Sequence, residues 1–325
     1  MHVEPNTKFA AFFLSRCGVK PDLPQEEEQI EKDIWVSQKF DLAVAAHWQT
    51  WLGSLATDEM REGGLLIYVT GQPSKQPEVL DGENQALQQE VNDILNGLLL
   101  QGVPGFMRGF IVNGANVNGQ IGIRQHASIR ELDLTHGQPE FLVGIDEARR
   151  SVSLARRLRY IQDAPRPEWG RVIRAVRTLL LANHQTNSFG ERLHQFVRAL
   201  EGLIKVPKGN GRKTFAHRAQ TFAVAGDAPR EALLELYDLR SAVEHLGVPI
   251  EALAAEGTEK QRLGVVDRRT RQADALARLA ILRALESPVI FNYFRTDAQI
   301  DEFWKLADDV KVLLWGDRLD IMKVP

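Results

Sequence analysis

Residues 236–247 read LYDLRSAVEHLG, and the reading of this stretch decides the class of the second half of the chain. Apolar Leu236, Leu239 and Val243 recur at three- and four-residue spacing, which predicts a helix. Asp227 supplies an N-cap, Pro229 suits the first turn, and Gly247 with Pro249 beyond it closes the far end. At 100° per residue, Ala232, Leu236, Leu239, Val243 and Leu246 share one narrow stripe, the expected core face. Arg240 lies about 80° from the centre of that stripe, and His245 about 140° from Arg240. Leu234, Tyr237, Asp238 and Ser241 fall on the side of His245. A face of that composition is expected to pack against another helix or another subunit.

The helix belongs to a series. From residue 145 onward the apolar pattern is helical, with helices expected over 146–161, 168–184, 189–206, 267–286 and 297–316. Leu193, Val197, Leu200 and Ile204 form one stripe on the third. VPKGNGRKTF (206–215) reads as a basic, glycine-containing loop. The first 144 residues mix periods. KFAAFFLS (8–15) and GLLIYVTG (64–71) read as strands, and PQEEEQIEKD (24–33) as a charged connector. FDLAVAAHWQTWLGSLA (40–56) has helical spacing, and 83–102 forms an amphipathic helix closed by Gly102. GFMRGFIVNGANVNGQIGIRQ (105–125) reads as two strands around an Asn-Gly turn, with two candidate turns, at 113–114 and 118–119. Its glycines lack phosphate-loop spacing. The expected fold class is therefore α+β: a mixed α/β domain over 1–144, role unknown, then a helical domain over 145–325.

Composition bounds the function. Of 325 residues, 44% are hydrophobic and 26% charged, enough for a sizeable core. Cys17 is the sole cysteine, so neither an internal disulfide nor a cysteine-based zinc site can be built. The N-terminus lacks the basic start of a signal peptide, and the apolar runs are far short of a membrane span. A cytoplasmic location with no membrane partner is the expectation. The net charge of −3 divides into −9 over 1–145 and +6 over 146–325, and the basic half suits a polyanion such as RNA.

Arg240 and His245 together fit RNA cleavage without metal or cofactor. The ribose 2′-hydroxyl attacks the adjacent phosphate. A histidine takes that proton or protonates the leaving 5′-oxygen, and an arginine binds the non-bridging oxygens. His245 lies in the last helical turn, where the carbonyl end favours imidazolium. One regular helix cannot readily aim both side chains at one atom. Either the last turn distorts, or a second copy of the chain completes the set in a symmetric homodimer. Spacing alone does not select this pair: Arg followed by His after four to six residues also occurs at Arg130/His136, Arg177/His184 and Arg212/His217. Only Arg240/His245 lies inside one capped helix with a polar residue, Ser241, directly after the arginine.

YDLRSAVEH, preceded by RLHQFVRALEGLI (192–204), resembles the HEPN superfamily of helical ribonucleases, closest to a phage-defence branch with a separate N-terminal domain. The family motif Arg-x₄₋₆-His maps onto Arg240, Ser241 and His245. Its aromatic-Asp lead-in maps onto Tyr237 and Asp238, and an F-x₃-ALE-like pattern onto Phe196 and Ala199–Leu200–Glu201. Leu246 stands where the branch often has glycine directly after its histidine. The resemblance implies a HEPN-like helical bundle, a homodimer and metal-independent endoribonuclease activity, with a toxin or antiviral-defence role and an antitoxin or regulatory partner.

Supporting roles follow. His194, Arg198, Glu201 and Lys205 form a polar stripe on their helix. Glu201 is expected to orient Arg240, with Ser241 and Asp238 also in support, and Arg198 to touch RNA. Lys205, Lys208, Arg212 and Lys213 flank a Gly-Asn-Gly turn and are expected along a phosphate backbone. Solvated helix faces and basic surface loops produce the same patterns. The competing reading is a non-catalytic helical module that binds a nucleotide or a partner protein.

Overall fold

A computed structural model describes residues 2–39, 44–54, 57–58, 63–106, 108–129, 141–183, 188–207, 209–244 and 258–325. The chain is α+β and divides into two compact units, the first closing at Arg156 and the second running Arg157–Pro325. The division falls inside a single helix, α3 (Ile145–Asp163).

The first unit is built on one antiparallel sheet of six strands in the order β2-β3-β4-β1-β5-β6. β1 (Thr7–Ser15) is buried along its whole length because it pairs on both edges, with β4 (Gly64–Gly71) and with β5 (Arg108–Val117). Phe12 faces Ile67 on one side and Ile111 on the other. Alternation divides its side chains between the two faces. Phe9, Ala11 and Phe13 join Tyr68, Phe110, Val112 and Ile123, with Trp35 and Trp48 packed against them. Each such buried phenylalanine contributes roughly 1.5–3 kcal/mol. The other face meets α2 (Gly82–Gln101). There the wholly buried Lys8 donates to Asp81 at 2.7 Å and to Glu83 at 3.0 Å. Asp81 also caps α2, accepting from the Glu83 amide at 3.0 Å.

One local feature departs from the sequence reading, and one choice that it left open is decided. The charged segment 24–33 contains β2 (Glu28–Glu31), which forms a hairpin with β3 (Ile34–Ser37) through a turn that places Asp33 at φ 61°. Of the two candidate Asn-Gly turns, Asn118–Gly119 joins β5 to β6 (Gln120–Ile129), with φ of 52° and 87° at its two residues. Asn113–Gly114 lies inside β5 at a register shift. The helix expected over 40–56 is α1 (Ala46–Leu52) among the described residues.

In the second unit, α5 (Phe189–Ile204) packs against α4 (Gly170–Ala182), α7 (Asp227–Glu244) and α8 (Glu259–Glu286). A capping box between Ser188 and Glu191 starts α5. Leu193, Phe196, Val197, Leu200, Leu203 and Ile204 are wholly buried, so the apolar stripe widens into a core helix. α6 (Gly211–Ala219) begins inside the expected 206–215 loop and buries Phe215, Ala216 and Ala219. The segment 297–316 is two helices, α10 (Asp297–Lys305) and α11 (Asp308–Trp315), after a short α9 (Pro288–Tyr293). Their break turns Trp315 into a cluster with Phe222, Phe294 and Phe303. Among the described residues no helix is long and apolar enough to cross a membrane.

Candidate functional site

α7 buries Ala232, Leu233, Leu236 and Leu239. That sets the azimuth of Arg240, which emerges on the flank toward α5 with 14% of its side chain exposed. Nη2 of Arg240 donates to Oε2 of Glu201 on α5 at 2.8 Å. Nη1 is paired with Glu244, one turn further along α7. The guanidinium carbon lies 5.9 Å from the Tyr237 ring centroid, within cation–π range. Its Nε is buried and has no hydrogen-bond partner among the described residues.

Burial pushes the Glu201 carboxyl above its usual range, against the opposing pull of Arg240. The neighbouring Glu244 carboxylate adds to the rise, and Arg198 opposes it. His194 lies on the same helix, seven residues earlier. Burial lowers its pKa first, and the charges of Arg240 and then Arg198 lower it further, while Glu244 opposes them. Its Nε2 is buried and unpaired among the described residues. Burial and the neighbouring cations both favour the neutral imidazole.

The remaining expected residues divide. Ser241 is half-buried next to Arg240, and Arg198 is exposed but close enough to act electrostatically on both Glu201 and His194. Asp238 is turned away from Arg240: it takes both arms of Arg212 on α6, Nε to Oδ1 and Nη2 to Oδ2, each at 2.6 Å. Arg212 is thus engaged in a planar fork that joins α6 to α7. Lys205, the left-handed C-cap of α5, reaches α10, donating to Asp301 at 2.6 Å and to the Asp297 carbonyl at 2.9 Å. Lys213 is exposed. His245 and Lys208 lie outside the described residues.

The second face of α7 is covered in part by α6 of the same chain. Tyr237 packs against Phe215, with ring centroids 5.5 Å apart. Next to it opens a cleft of ≈ 550 Å³ lined by Arg171, Glu201, Val206, Pro207, Gly211 and Tyr237. A Cβ at Gly211 would stand 2.2 Å from the Tyr237 hydroxyl, so a larger residue there would have to displace the tyrosine side chain.

The sequence reading did not assign Glu244, His194 or Tyr237 to the site. Glu244 was legible as the i+4 partner of Arg240, and His194 as the start of the α5 polar stripe. Tyr237 carried no signal beyond its place in the lead-in. Compared with protein-family models, with curated proteins and with solved structures, the chain matches none.

Proposed function

We propose that the chain is a metal-independent endoribonuclease of HEPN type, acting on RNA as a homodimer in the cytoplasm. The observation that carries this reading is a largely buried arginine oriented by a carboxylate from a neighbouring helix. That geometry gives a guanidinium a fixed direction, which phosphate recognition requires and a solvated surface arginine lacks. In the reaction the 2′-oxygen bonds to phosphorus as its proton passes to a base. The bond from phosphorus to the 5′-oxygen breaks, and that oxygen takes a proton from an acid. A 2′,3′-cyclic phosphate and a 5′-hydroxyl remain. Arg240 stabilises the charge on the non-bridging oxygens, and His245 serves as acid or base. General acid–base help is worth roughly 10²–10⁴-fold. A toxin or antiviral role, with an antitoxin or regulatory partner, follows from the family resemblance alone.

The test is cleavage of a mixed RNA pool in EDTA by the full chain. His245→Ala and Arg240→Ala should each abolish it, with the dimer intact by light scattering. Cleavage that survives both changes would remove the mechanism.

One contact favours a second reading, a non-catalytic module for a nucleotide or a partner protein. Glu201 and Glu244 both engage Arg240, so its guanidinium already serves an ion-pair network that joins two helices. On that reading RNA is not cut, and expression of the wild type is no more harmful than expression of Arg240→Ala.

A further inference from the structure

A second cleft opens in the first unit, at the end of β1. It encloses ≈ 410 Å³ and is lined by Arg16, Cys17, Gln25, Gln38, Lys39 and Gly64, among others. Backbone hydrogen bonds tie its walls together. The Arg16 amide donates to the Gly63 carbonyl at 3.1 Å, the Gly64 amide to the Gln38 carbonyl at 2.9 Å, and the Gln38 amide to the Pro24 carbonyl at 3.1 Å. Nε2 of Gln38 donates to the Leu23 carbonyl at 2.6 Å. The cleft is therefore built into the fold and needs little ordering when a ligand enters. Residues 1–145 carry a net charge of −9. Among the described residues, by contrast, the lining of this cleft holds two cations and no carboxylate. Such a local reversal of sign concentrates anions at the cleft. Arg16 also stands at φ 50°, in the left-handed region that residues with a side chain rarely adopt. Backbone of that kind clusters at ligand clamps.

We propose that this cleft binds the phosphate group of a small phosphorylated molecule. The proposal is independent of the nuclease reading, which concerns the second unit. Arg16 and Lys39 are both exposed, so a ligand arriving from solvent can reach them. Arginine offers a planar fork of donors and lysine a point charge. Together they match a dianion with three oxygens better than a carboxylate with two. The side chains of Gln25 and Gln38 add neutral amides. A volume of ≈ 410 Å³ lies in the range of small-ligand sites, so the cleft has room for the group that the phosphate carries. Nucleotides and sugar phosphates share this chemistry.

The full chain is titrated calorimetrically with inorganic pyrophosphate, AMP and ribose 5-phosphate, and with citrate as a carboxylate control. The phosphates should bind about tenfold or more tighter than citrate. AMP bound more tightly than ribose 5-phosphate identifies a nucleotide, the reverse identifies a sugar phosphate, and equal affinity identifies the phosphate as the group recognised; all three support the proposal. Arg16→Gln and Lys39→Gln should each weaken pyrophosphate binding about tenfold, the worth of one charge-assisted hydrogen bond, with thermal melts confirming the fold. The location is read at Cys17, the sole cysteine of the chain, which lies in the wall of the cleft. Its modification by methyl methanethiosulfonate, followed by mass spectrometry, should slow when pyrophosphate is present, and the slowing should disappear in Arg16→Gln. Citrate bound as tightly as the phosphates, pyrophosphate bound without either organic phosphate, or no probe bound at millimolar concentration overturns the proposal. So does an affinity unchanged in either variant, or a Cys17 rate indifferent to pyrophosphate. A thiol that stays inert in the free chain would show a cleft closed to small molecules and would overturn it as well.

Discussion

Arg240 and Glu201 meet between α7 and α5 at 2.8 Å, with only 14% and 18% of their side chains exposed. Neither is a surface ion pair of the kind that contributes little. Glu201→Ala should leave a half-sequestered guanidinium with Glu244 as its remaining carboxylate. The expected loss is about 1–2 kcal/mol, below the full penalty for a wholly buried pair because solvent and Glu244 compensate in part. Urea denaturation read by circular dichroism measures it. An unchanged midpoint would show that the pair orients without stabilising.

Glu244 competes with any phosphate for Nη1 of Arg240. Glu244→Gln removes an i,i+4 ion pair worth about 0.5 kcal/mol, so RNA affinity should rise roughly twofold. The gain should shrink as salt is raised, since it is electrostatic. Filter binding across a salt series would detect it, and a fall in affinity would mean that Glu244 holds Arg240 in its binding pose.

Two histidines, His126 in β6 and His194 in α5, have pKa values lowered by burial from the ordinary 6.5. The unfolded chain then takes up protons at a higher pH than the folded chain. Stability is full above about pH 6.5 and is lost as the pH falls from there through the folded values. Glu201, with its pKa raised, contributes the opposite sign: its destabilising effect grows as the pH climbs from its unfolded range through its folded value. Thermal melts between pH 5 and pH 8 should fall on the acid side, and His126→Gln should remove part of that slope. NMR titration should place both imidazoles below 6.5.

Gly114 tests the register of β5 against β6. A Cβ there would stand 2.1 Å from the Gly122 carbonyl oxygen, and the clash is with backbone that cannot swing aside. Gly114→Ala should therefore cost about 2–3 kcal/mol, the upper part of the overpacking range. Gly82→Ala, with nothing within 4 Å, is the control and should be nearly silent. Equal melting temperatures for the two variants would contradict the close approach of β5 to β6 at Gly114.

Several elements were legible from periodicity because their own side chains define the buried face. β1, β4 and α2 start and stop close to the expected residues, as do α4, α5 and α7. β2 was not legible: as an edge strand of Glu28, Gln29 and Glu31 it carries solvent-facing charge, and only pairing with β3 makes it a strand. α6 was masked by its glycines and by a short apolar set that is buried only because α7 lies across it. The 297–316 segment has continuous helical spacing, yet it breaks so that Trp315 can reach its aromatic neighbours.

By itself the sequence determined the α+β class, most of the helices, and the azimuth of Arg240 on α7, because side-chain period and caps are local properties of the chain. Only the tertiary structure decided which Asn-Gly pair turns, that Asp238 serves Arg212, and that Arg240 lies between Glu201 and Glu244 beside His194. Such pairings depend on which helices pack together. Packing is a property of shape and buried area summed over the whole unit, and spacing along one helix does not encode it.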